Sequence, residues 1–448
     1  MIRTSGLTCA MGVSLLAAMA LSLTACDPQG NANSGAQQGA SSASAAAVSS
    51  PASFTDEGIA ALEARMGQYV ADGQLYSIHT RLVQDGEIVS DFKTGIVGLE
   101  AQKPVADDTI YRIYSMTKPV TGVAMMMLWE DGKFSLDDPV TRHIPEFEGL
   151  QVLDGVNEDG TPKLVAVNRA PTMRELMSHT AGFAYGLFGT DPANAAFRDR
   201  AILSSPDLQS FIGQVADVPL LFQPGEAWAY SAAVDIQGYI VEKLSGQSFG
   251  AFLDERIFTP LGMTDTGFYA PAEDYDRLSE LYGYHPETGQ LVPVPYPAVQ
   301  FRKETIAMES GGGGLVSTMD DYAAFAQMML NDGELDGTRL LEPETVALMR
   351  TNVLPEGMQL SSLGQNRGEV REGIGFGLDL GLLTDPEAAG APHSQGSYFW
   401  GGAAGTWFWV DPANDFYFIG MIQIFDQGGE PVETRDTSAG YVYGAMEK

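Results

Sequence analysis

The spacing of hydrophobic residues predicts how the chain begins to fold. From Phe54 to Asp72, apolar residues recur at helical spacing, which predicts an N-terminal amphipathic helix. Two strand-like segments follow, Leu75–Val83 and Glu87–Gly95. Asp85-Gly86 lies between them, and this dipeptide favours a tight hairpin turn. The body is therefore predicted to start with a helix and a β-hairpin.

Helical spacing dominates the middle of the chain, and strand-like segments return near its end. A short extended segment, Ile110–Tyr114, leads into a helix predicted from Ser115 to about Glu130. The segment 283–314 is rich in Pro and Gly and is predicted to be a surface loop. Further helices are predicted near residues 172–178, 206–216, 233–245, 249–257, 319–330 and 343–349, and strands at 375–383, 396–410 and 415–425.

This order of elements predicts an α+β fold. Strands from both ends of the body can join in one antiparallel sheet flanked by helices, with a mainly helical lobe inserted between them. The folded body is predicted over residues 54–448. Its sheet lobe is expected at about 54–145 and 305–448, and its helical lobe at about 146–304.

The first 53 residues are predicted to be an export signal and a tether. Residues 1–26 contain Arg3, a short apolar stretch and the ending Leu23-Thr24-Ala25-Cys26, which resembles the bacterial lipoprotein box. An ordinary cleaved signal peptide is the alternative. Residues 27–53 form a low-complexity linker of small and polar residues. We expect an exported lipoprotein at the periplasmic face of the cell envelope, with Cys26 lipidated as the only membrane attachment and Asp27 favouring the inner membrane.

Composition narrows the possible partners. The chain has 25 Lys and Arg against 58 Asp and Glu, a net charge of −33, which disfavours a nucleic-acid partner. Both cysteines, Cys9 and Cys26, precede the body, so no disulfide or thiolate site is predicted in it. The five histidines do not recur at metal-ligand spacing. We therefore predict no metal and no cofactor, and a small-molecule substrate.

One serine and one lysine stand where a nucleophile would be activated. In Ser115-Met116-Thr117-Lys118 the two side chains would lie one helical turn apart on the same face. Pro119 must lie in the first turn of its helix, because proline has no N–H to donate further along. The Ser115 hydroxyl is thus predicted at the positive end of the helix, beside free backbone N–H groups. Lys118 can take a proton there.

Two further segments carry candidate chemistry. Tyr230 follows a Pro-Gly turn and precedes a predicted helix. A tyrosine near a lysine can act as a general base. The alternative is that this aromatic residue only packs in the core. Trp400-Gly401-Gly402 lies in a strand-like segment, where glycines allow another backbone or a ligand to approach closely; a β-bulge is the alternative.

Together these three segments resemble the serine β-lactamase and DD-peptidase superfamily, whose Ser-x-x-Lys motif they contain. Three further segments also resemble sequences of that superfamily: 175–182, 310–315 and 375–378. Within it the chain is most similar to class C β-lactamases and, more so, to family VIII carboxylesterases. Tyr230-Ser231-Ala232 lacks the asparagine of class C enzymes, and Trp400-Gly401-Gly402 stands where β-lactamases have Lys-Thr-Gly.

The resemblance implies a role for each motif residue. Ser115 would be the nucleophile, Lys118 the proton acceptor, and Tyr230 the base serving the leaving group and the deacylating water. Trp400, Gly401 and Gly402 would line the substrate site. The backbone N–H groups of Ser115 and Ala403 would form the oxyanion hole. A carboxylesterase acting on small esters is the expected function, because an aromatic residue replaces the lysine that holds the β-lactam carboxylate.

Alternatives remain open at this point. One is a β-lactamase, or a peptidase or amidase for D-amino-acid substrates; another is a catalytically weak cell-wall-binding protein on the same fold. Two other serines fit short motifs. Ser90-x-x-Lys93 falls in a predicted strand, where the two side chains point to opposite faces. Ser248 fits Gly-x-Ser-x-Gly but is predicted between two helices, whereas a nucleophile elbow needs a preceding strand.

Overall fold

Both ends of the folded body contribute strands to one sheet in the computed structural model. The structure describes residues 53–100, 102–285, 287–294, 301–358, 360, 372–425 and 433–447. Cys26, the predicted signal peptide and nearly all of the predicted linker lie outside these ranges. None of the helices in the described ranges is long and apolar enough to cross a membrane.

The elements are numbered along the chain. The α-helices are α1 (Asp56–Ala71), α2 (Thr117–Glu130), α3 (Met173–Met177), α4 (Pro192–Asp199), α5 (Leu208–Val215), α6 (Ala233–Ser245), α7 (Phe249–Leu253), α8 (Thr259–Leu261), α9 (Met319–Leu330), α10 (Pro343–Met349), α11 (Pro386–Ala389) and α12 (Thr434–Gly444). The strands are β1 (Ser77–Gln84), β2 (Glu87–Gly98), β3 (Lys103–Pro104), β4 (Tyr111–Arg112), β5 (Gln151–Val156), β6 (Pro162–Ala166), β7 (Tyr282–Tyr284), β8 (Leu291–Pro293), β9 (Val316–Ser317), β10 (Glu334–Leu335), β11 (Thr338–Arg339), β12 (Ile374–Phe376), β13 (Gly381–Leu383), β14 (Tyr398–Gly401), β15 (Trp407–Asp411) and β16 (Phe416–Met421).

The main sheet is antiparallel and has eight strands in the order β12-β13-β14-β15-β16-β1-β2-β3. The pairing of β1 with β16 joins strands from the two ends of the body, with Leu82 opposite Phe418. Asp85 and Gly86 both have positive φ, of 51° and 74°. These angles suit the tight turn that matches strand twist, and they confirm the hairpin predicted at this dipeptide. The α+β fold with an antiparallel sheet is confirmed.

Both faces of the sheet are buried, because successive side chains of a strand point to opposite sides. In β15, Trp407 and Trp409 face a core that includes α1 and α12, whereas Phe408 faces the larger core around α2 and α9. In β16, Phe418 and Ile419 divide in the same way. Helices therefore cover the sheet on both sides, and α2 lies in the larger core.

Several predicted elements are corrected by the structure. The strand expected at 375–383 is two strands, β12 and β13, and the one expected at 396–410 is interrupted between β14 and β15. The predicted loop at 283–314 contains the short β7–β8 hairpin. The region predicted as helical also contains the β5–β6 hairpin. Helix α12 was not predicted; it packs against α1 and is anchored through Ala439 and Val442.

The described residues of the body form one compact unit. Its division into a sheet lobe and a helical lobe stays a prediction.

Candidate active site

Ser115 lies at the start of the central helix, as predicted, but in a different local conformation. Residues Tyr114–Met116 form a turn of 3₁₀ helix, and α2 begins two residues later than expected, at Thr117. Pro119 is in the first turn of α2, as its missing N–H requires. Tyr114 has φ of +42°, an unfavourable left-handed conformation for a bulky residue. The backbone is therefore strained directly before the half-buried Ser115.

Lys118 points from α2 into the site and is fully buried. Its Nζ atom donates to Ser115 Oγ at 3.3 Å and to the Tyr185 hydroxyl at 3.3 Å. It also donates to the carbonyl oxygen of Gly312. All three acceptors are uncharged groups, so the amine is held by dipoles in a site shielded from water. The predicted Ser–Lys pair is thus within hydrogen-bonding distance.

The buried carboxyl group of Asp235 holds Gly312 through the N–H of that residue. Asp235 Oδ1 accepts from the Gly312 N–H at 3.1 Å and from the Ser310 hydroxyl at 2.5 Å. Burial raises the pKa of Asp235, and the nearby positive charge of Lys118 opposes that rise. The glycine-rich segment after Ser310 therefore provides a backbone carbonyl oxygen that accepts a hydrogen bond from Lys118. The sequence of this segment did not predict that contact.

Tyr230 lies immediately before α6, at the junction predicted from the sequence. Its ring centroid is 4.5 Å from Lys118 Nζ, a cation–π distance. The ring also lies 5.5 Å from that of Tyr185 and 5.6 Å from that of Trp400. The structure thus brings the predicted tyrosine, lysine and tryptophan together.

Tyr185 was not predicted as a site residue. Its buried hydroxyl contacts Lys118, and burial, with Asp235 and Tyr230 nearby, raises its pKa. Asn194 at the start of α4 accepts from the backbone N–H of Tyr185 at 3.1 Å and of Gly186 at 2.8 Å. The sequence offered one indication of Tyr185: it lies three residues after the segment 175–182, which resembles the superfamily.

The glycines after Trp400 allow β14 to approach the backbone near the serine. A Cβ on Gly402 would lie 2.3 Å from the carbonyl oxygen of Ile113, two residues before Ser115. A Cβ on Gly401 would instead meet the guanidinium group of Arg435 at 2.4 Å. The close backbone approach inferred for these glycines is therefore seen at Gly402, whereas Gly401 lies against a side chain. Ala403 follows in an exposed turn, and its role in an oxyanion hole stays a prediction.

Substituting Gly402 should damage the site more than substituting Gly401. Gly402→Ala forces backbone apart next to Ser115, so we expect a loss of about 1–3 kcal/mol in the free energy of unfolding together with reduced ester turnover. Gly401→Ala meets only the end of a flexible arginine side chain, which can move. Thermal unfolding and kcat/KM of both variants test this, and equal effects would contradict it.

Aromatic rings form a cluster beside the serine–lysine pair. Trp400 packs against Phe376 at 5.4 Å, and Trp228 packs against Phe376 at 5.7 Å and Tyr230 at 6.3 Å. Phe188 lies 6.3 Å from Tyr230. These rings carry no formal charge, so this side of the site is mainly apolar.

The serines of the two other motifs have structural partners. Ser90 in β2 donates to Glu63 of α1 at 2.8 Å, while Lys93 pairs with Asp107 at 2.6 Å, so the two side chains serve separate contacts. Ser248 is exposed between α6 and α7, where its hydroxyl accepts from the Ala251 N–H and caps α7. Neither serine has the surroundings of Ser115.

One group of potential metal ligands occurs within the described ranges. His79, Asp91 and Asp107 bring ligand atoms within 4.8 Å of one another. However, Lys93 lies 2.6 Å from Asp107 and 3.5 Å from Asp91, and Arg81 lies 2.9 Å from Asp91. Because these cations already neutralise both carboxylates, the group is better described as a salt-bridge network.

The protein has the β-lactamase fold. Its features are a large antiparallel sheet, a central helix with a serine–lysine pair at its start, and a tyrosine beside that pair. The chain belongs to the family described as Beta-lactamase, whose model matches residues 62–440. It lies within the serine β-lactamase and DD-peptidase superfamily, near its esterases.

Relatives and solved structures agree with this assignment. Esterase EstB of Burkholderia gladioli is 32% identical over 372 residues, covering 79% of this chain and 87% of the relative. Lovastatin esterase of Penicillium rubens is 30% identical over 354 residues, covering 75% and 86%. The structure of EstCE1, titled a hydrolase with promiscuous acyltransferase activity, aligns with a TM-score of 0.70 and 26% identity over 87% of this chain and 99% of that one. The proteins similar to this chain thus include two named esterases and a hydrolase titled as having promiscuous acyltransferase activity.

Proposed function

We propose that this chain is a carboxylesterase that forms a covalent acyl-enzyme on Ser115. The observation that carries the proposal is the 3.3 Å contact between Ser115 Oγ and Nζ of the fully buried Lys118. A serine hydroxyl is a weak nucleophile until an adjacent base accepts its proton. Lys118 is the nearest group that can act as this base, and the start of α2 adds a positive electrostatic potential.

Acylation and deacylation use the same residues. Ser115 Oγ bonds to the carbonyl carbon as its proton passes to Lys118, and the resulting oxyanion is stabilised by the N–H groups of Ser115 and Ala403. The C–O bond to the alcohol then breaks, and Tyr230 delivers a proton to the departing oxygen. A water then attacks the acyl-enzyme and gives its proton to the same tyrosine. The bond between the acyl carbon and Ser115 Oγ then breaks, Lys118 returns its proton to Ser115, and the acid leaves.

The surroundings favour an uncharged ester. Trp400 occupies the place where β-lactamases have a lysine for the substrate carboxylate, and its ring joins those of Tyr230 and Phe376. The names of two relatives, Esterase EstB and Lovastatin esterase, agree with this preference. Transfer of the acyl group to an alcohol is a second candidate activity, because EstCE1 is titled as having promiscuous acyltransferase activity.

A comparison of three substrates tests the ester preference. We expect kcat/KM for a short p-nitrophenyl ester to exceed the values for nitrocefin and for a D-Ala-D-Ala peptide by at least about 100-fold, because the last two carry a carboxylate that is costly to place against aromatic rings without a cation to pair with it. Dominant nitrocefin turnover would instead identify a β-lactamase, and dominant peptide cleavage a peptidase. Absence of turnover and of covalent labelling by a fluorophosphonate would favour the non-catalytic cell-wall-binding alternative.

The membrane anchor on Cys26 remains our proposal, supported by the sequence Leu23-Thr24-Ala25-Cys26. In bacterial cells, we expect the full chain in the membrane fraction and the Cys26→Ser variant outside it. Equal membrane association of both forms would argue against lipidation at this cysteine.

A further inference from the structure

The segment around His179 has no part in the proposed reaction, although its sequence resembles the superfamily. Helix α3 starts with a capping box between Thr172 and Glu175, and the chain then turns sharply. His179 is fully buried and has φ of +58°, a left-handed conformation that few side chains tolerate. A costly conformation in a buried position needs compensating contacts, and most of those made by His179 are with the segment 228–231, which contains Tyr230.

His179 contacts both chain neighbours of Tyr230. Its carbonyl oxygen accepts from the Ala229 N–H at 3.1 Å. Its Nδ1 atom accepts from the Ser231 N–H at 3.3 Å and lies 2.9 Å from the Ser231 hydroxyl. Its ring centroid is 5.0 Å from that of Tyr230 itself. The histidine therefore holds the backbone on both sides of the tyrosine and supports its ring.

The hydrogen bonds also specify the form of the imidazole. Because a backbone N–H donates to Nδ1, that nitrogen carries no proton, and the neutral ring has its proton on Nε2. Burial lowers the pKa of His179 well below its usual value, and the positive charge of Lys118 lowers it further. A neutral imidazole places no second cation beside Lys118 and offers no proton to substrate.

We infer that His179 is a neutral positioning residue, which fixes Tyr230 beside Lys118 through Ala229 and Ser231 without itself transferring a proton. This inference rests on the proposed function, since it concerns the tyrosine assigned to proton transfer. The residue acts through the backbone and does not need to touch the substrate.

Substitutions that keep different atoms of the imidazole test the inference in the full chain. Asparagine places an acceptor at the position of Nδ1 and tolerates the left-handed conformation, so His179→Asn should keep kcat within about 3-fold of the unmodified chain. Glutamine reaches the position of Nε2 and leaves the Ser231 N–H without its acceptor. We therefore expect His179→Gln and His179→Ala to lower kcat roughly 10- to 100-fold, with KM changed less than about 3-fold.

The pH profile separates positioning from proton transfer. The titratable side chains close to His179 are Lys118 and Tyr230. If His179 stays neutral, the pH dependence of kcat should have the same shape in His179→Asn and in the unmodified chain. Loss of a limb between about pH 5 and 7 in the variant would show that the histidine titrates during turnover, and would overturn the inference.

Controls distinguish this effect from misfolding and from failure of the proposed function. His393→Asn alters a histidine that packs against Trp409 and Tyr443, and should leave kcat unchanged. If His179→Ala does not fold, Ser231→Ala removes one partner of Nδ1 and should lower kcat by a few-fold. Fluorophosphonate should still label Ser115 in every folded variant; no labelling of the unmodified chain would reject the proposed function instead. Equal kcat for Asn, Gln and Ala would reject the role of His179 alone.

Discussion

Ser115→Ala should lower kcat for a short p-nitrophenyl ester by roughly 10⁴-fold or more, because removing a nucleophile abolishes the covalent route. Lys118 and Tyr230 cannot compensate, since both only transfer protons during bond changes that begin with the attack of Ser115. The matched control is Ser248→Ala, which removes only the cap of α7 and should keep kcat unchanged. Steady-state kinetics of the two variants, with thermal unfolding to confirm that both fold, provide the measurement.

A second readout makes the same prediction independent of turnover. Intact-protein mass spectrometry after incubation with a fluorophosphonate should show one adduct on the unmodified chain and on Ser248→Ala, and none on Ser115→Ala. If hydrolysis and labelling survive in Ser115→Ala but are lost in Ser248→Ala, the nucleophile has been assigned to the wrong serine.

The position of Ser115 could be predicted because it depends on local chemistry. Pro119 has to occupy the first turn of a helix, which limits where α2 can start. That argument was wrong by two residues, since α2 is preceded by a 3₁₀ turn whose strained Tyr114 is stabilised by tertiary contacts. The ring of Tyr114 packs against Phe301 at 5.3 Å, a contact between residues distant in sequence.

The residues around Lys118 could be predicted only in part. Tyr230 was found because it lies in a recognisable motif, whereas Tyr185 and the Gly312 carbonyl reach the lysine through the tertiary path of the chain. No periodicity indicates which of 17 tyrosines meets a buried amine. The spacing of hydrophobic residues also failed to predict α12, which contains the poor helix former Gly440. This helix is stabilised by packing against α1.

The break between β12 and β13 has a similar origin. The apolar residues of 375–383 alternate with Gly and Asp, a spacing that favours a strand, but Asp379 adopts φ of +60° and is fully buried. Its Oδ1 atom accepts from Gln237 of α6 at 3.1 Å. The turn is therefore stabilised by a hydrogen bond to a distant helix, which hydrophobic spacing cannot reveal.

Two tyrosines lie beside Lys118, and their different contacts give a second prediction of large effect. Tyr230→Phe should lower kcat about 10²- to 10⁴-fold, the usual contribution of a group that transfers protons in the transition state. The ring would remain beside the lysine, so KM and stability should change little. The loss would then belong to the hydroxyl group.

Tyr185→Phe is the matched comparison, because it also removes one hydroxyl from a buried ring of the same cluster. Tyr185 accepts from Lys118 at 3.3 Å, but two other oxygens accept from the same amine, so we expect a loss of only about 10-fold. Pre-steady-state kinetics with a p-nitrophenyl ester measure both steps in each variant. Slower release of p-nitrophenol and slower deacylation in Tyr230→Phe would assign both proton transfers to this residue. A larger loss in Tyr185→Phe would transfer that role to Tyr185, since its hydroxyl contacts the lysine directly.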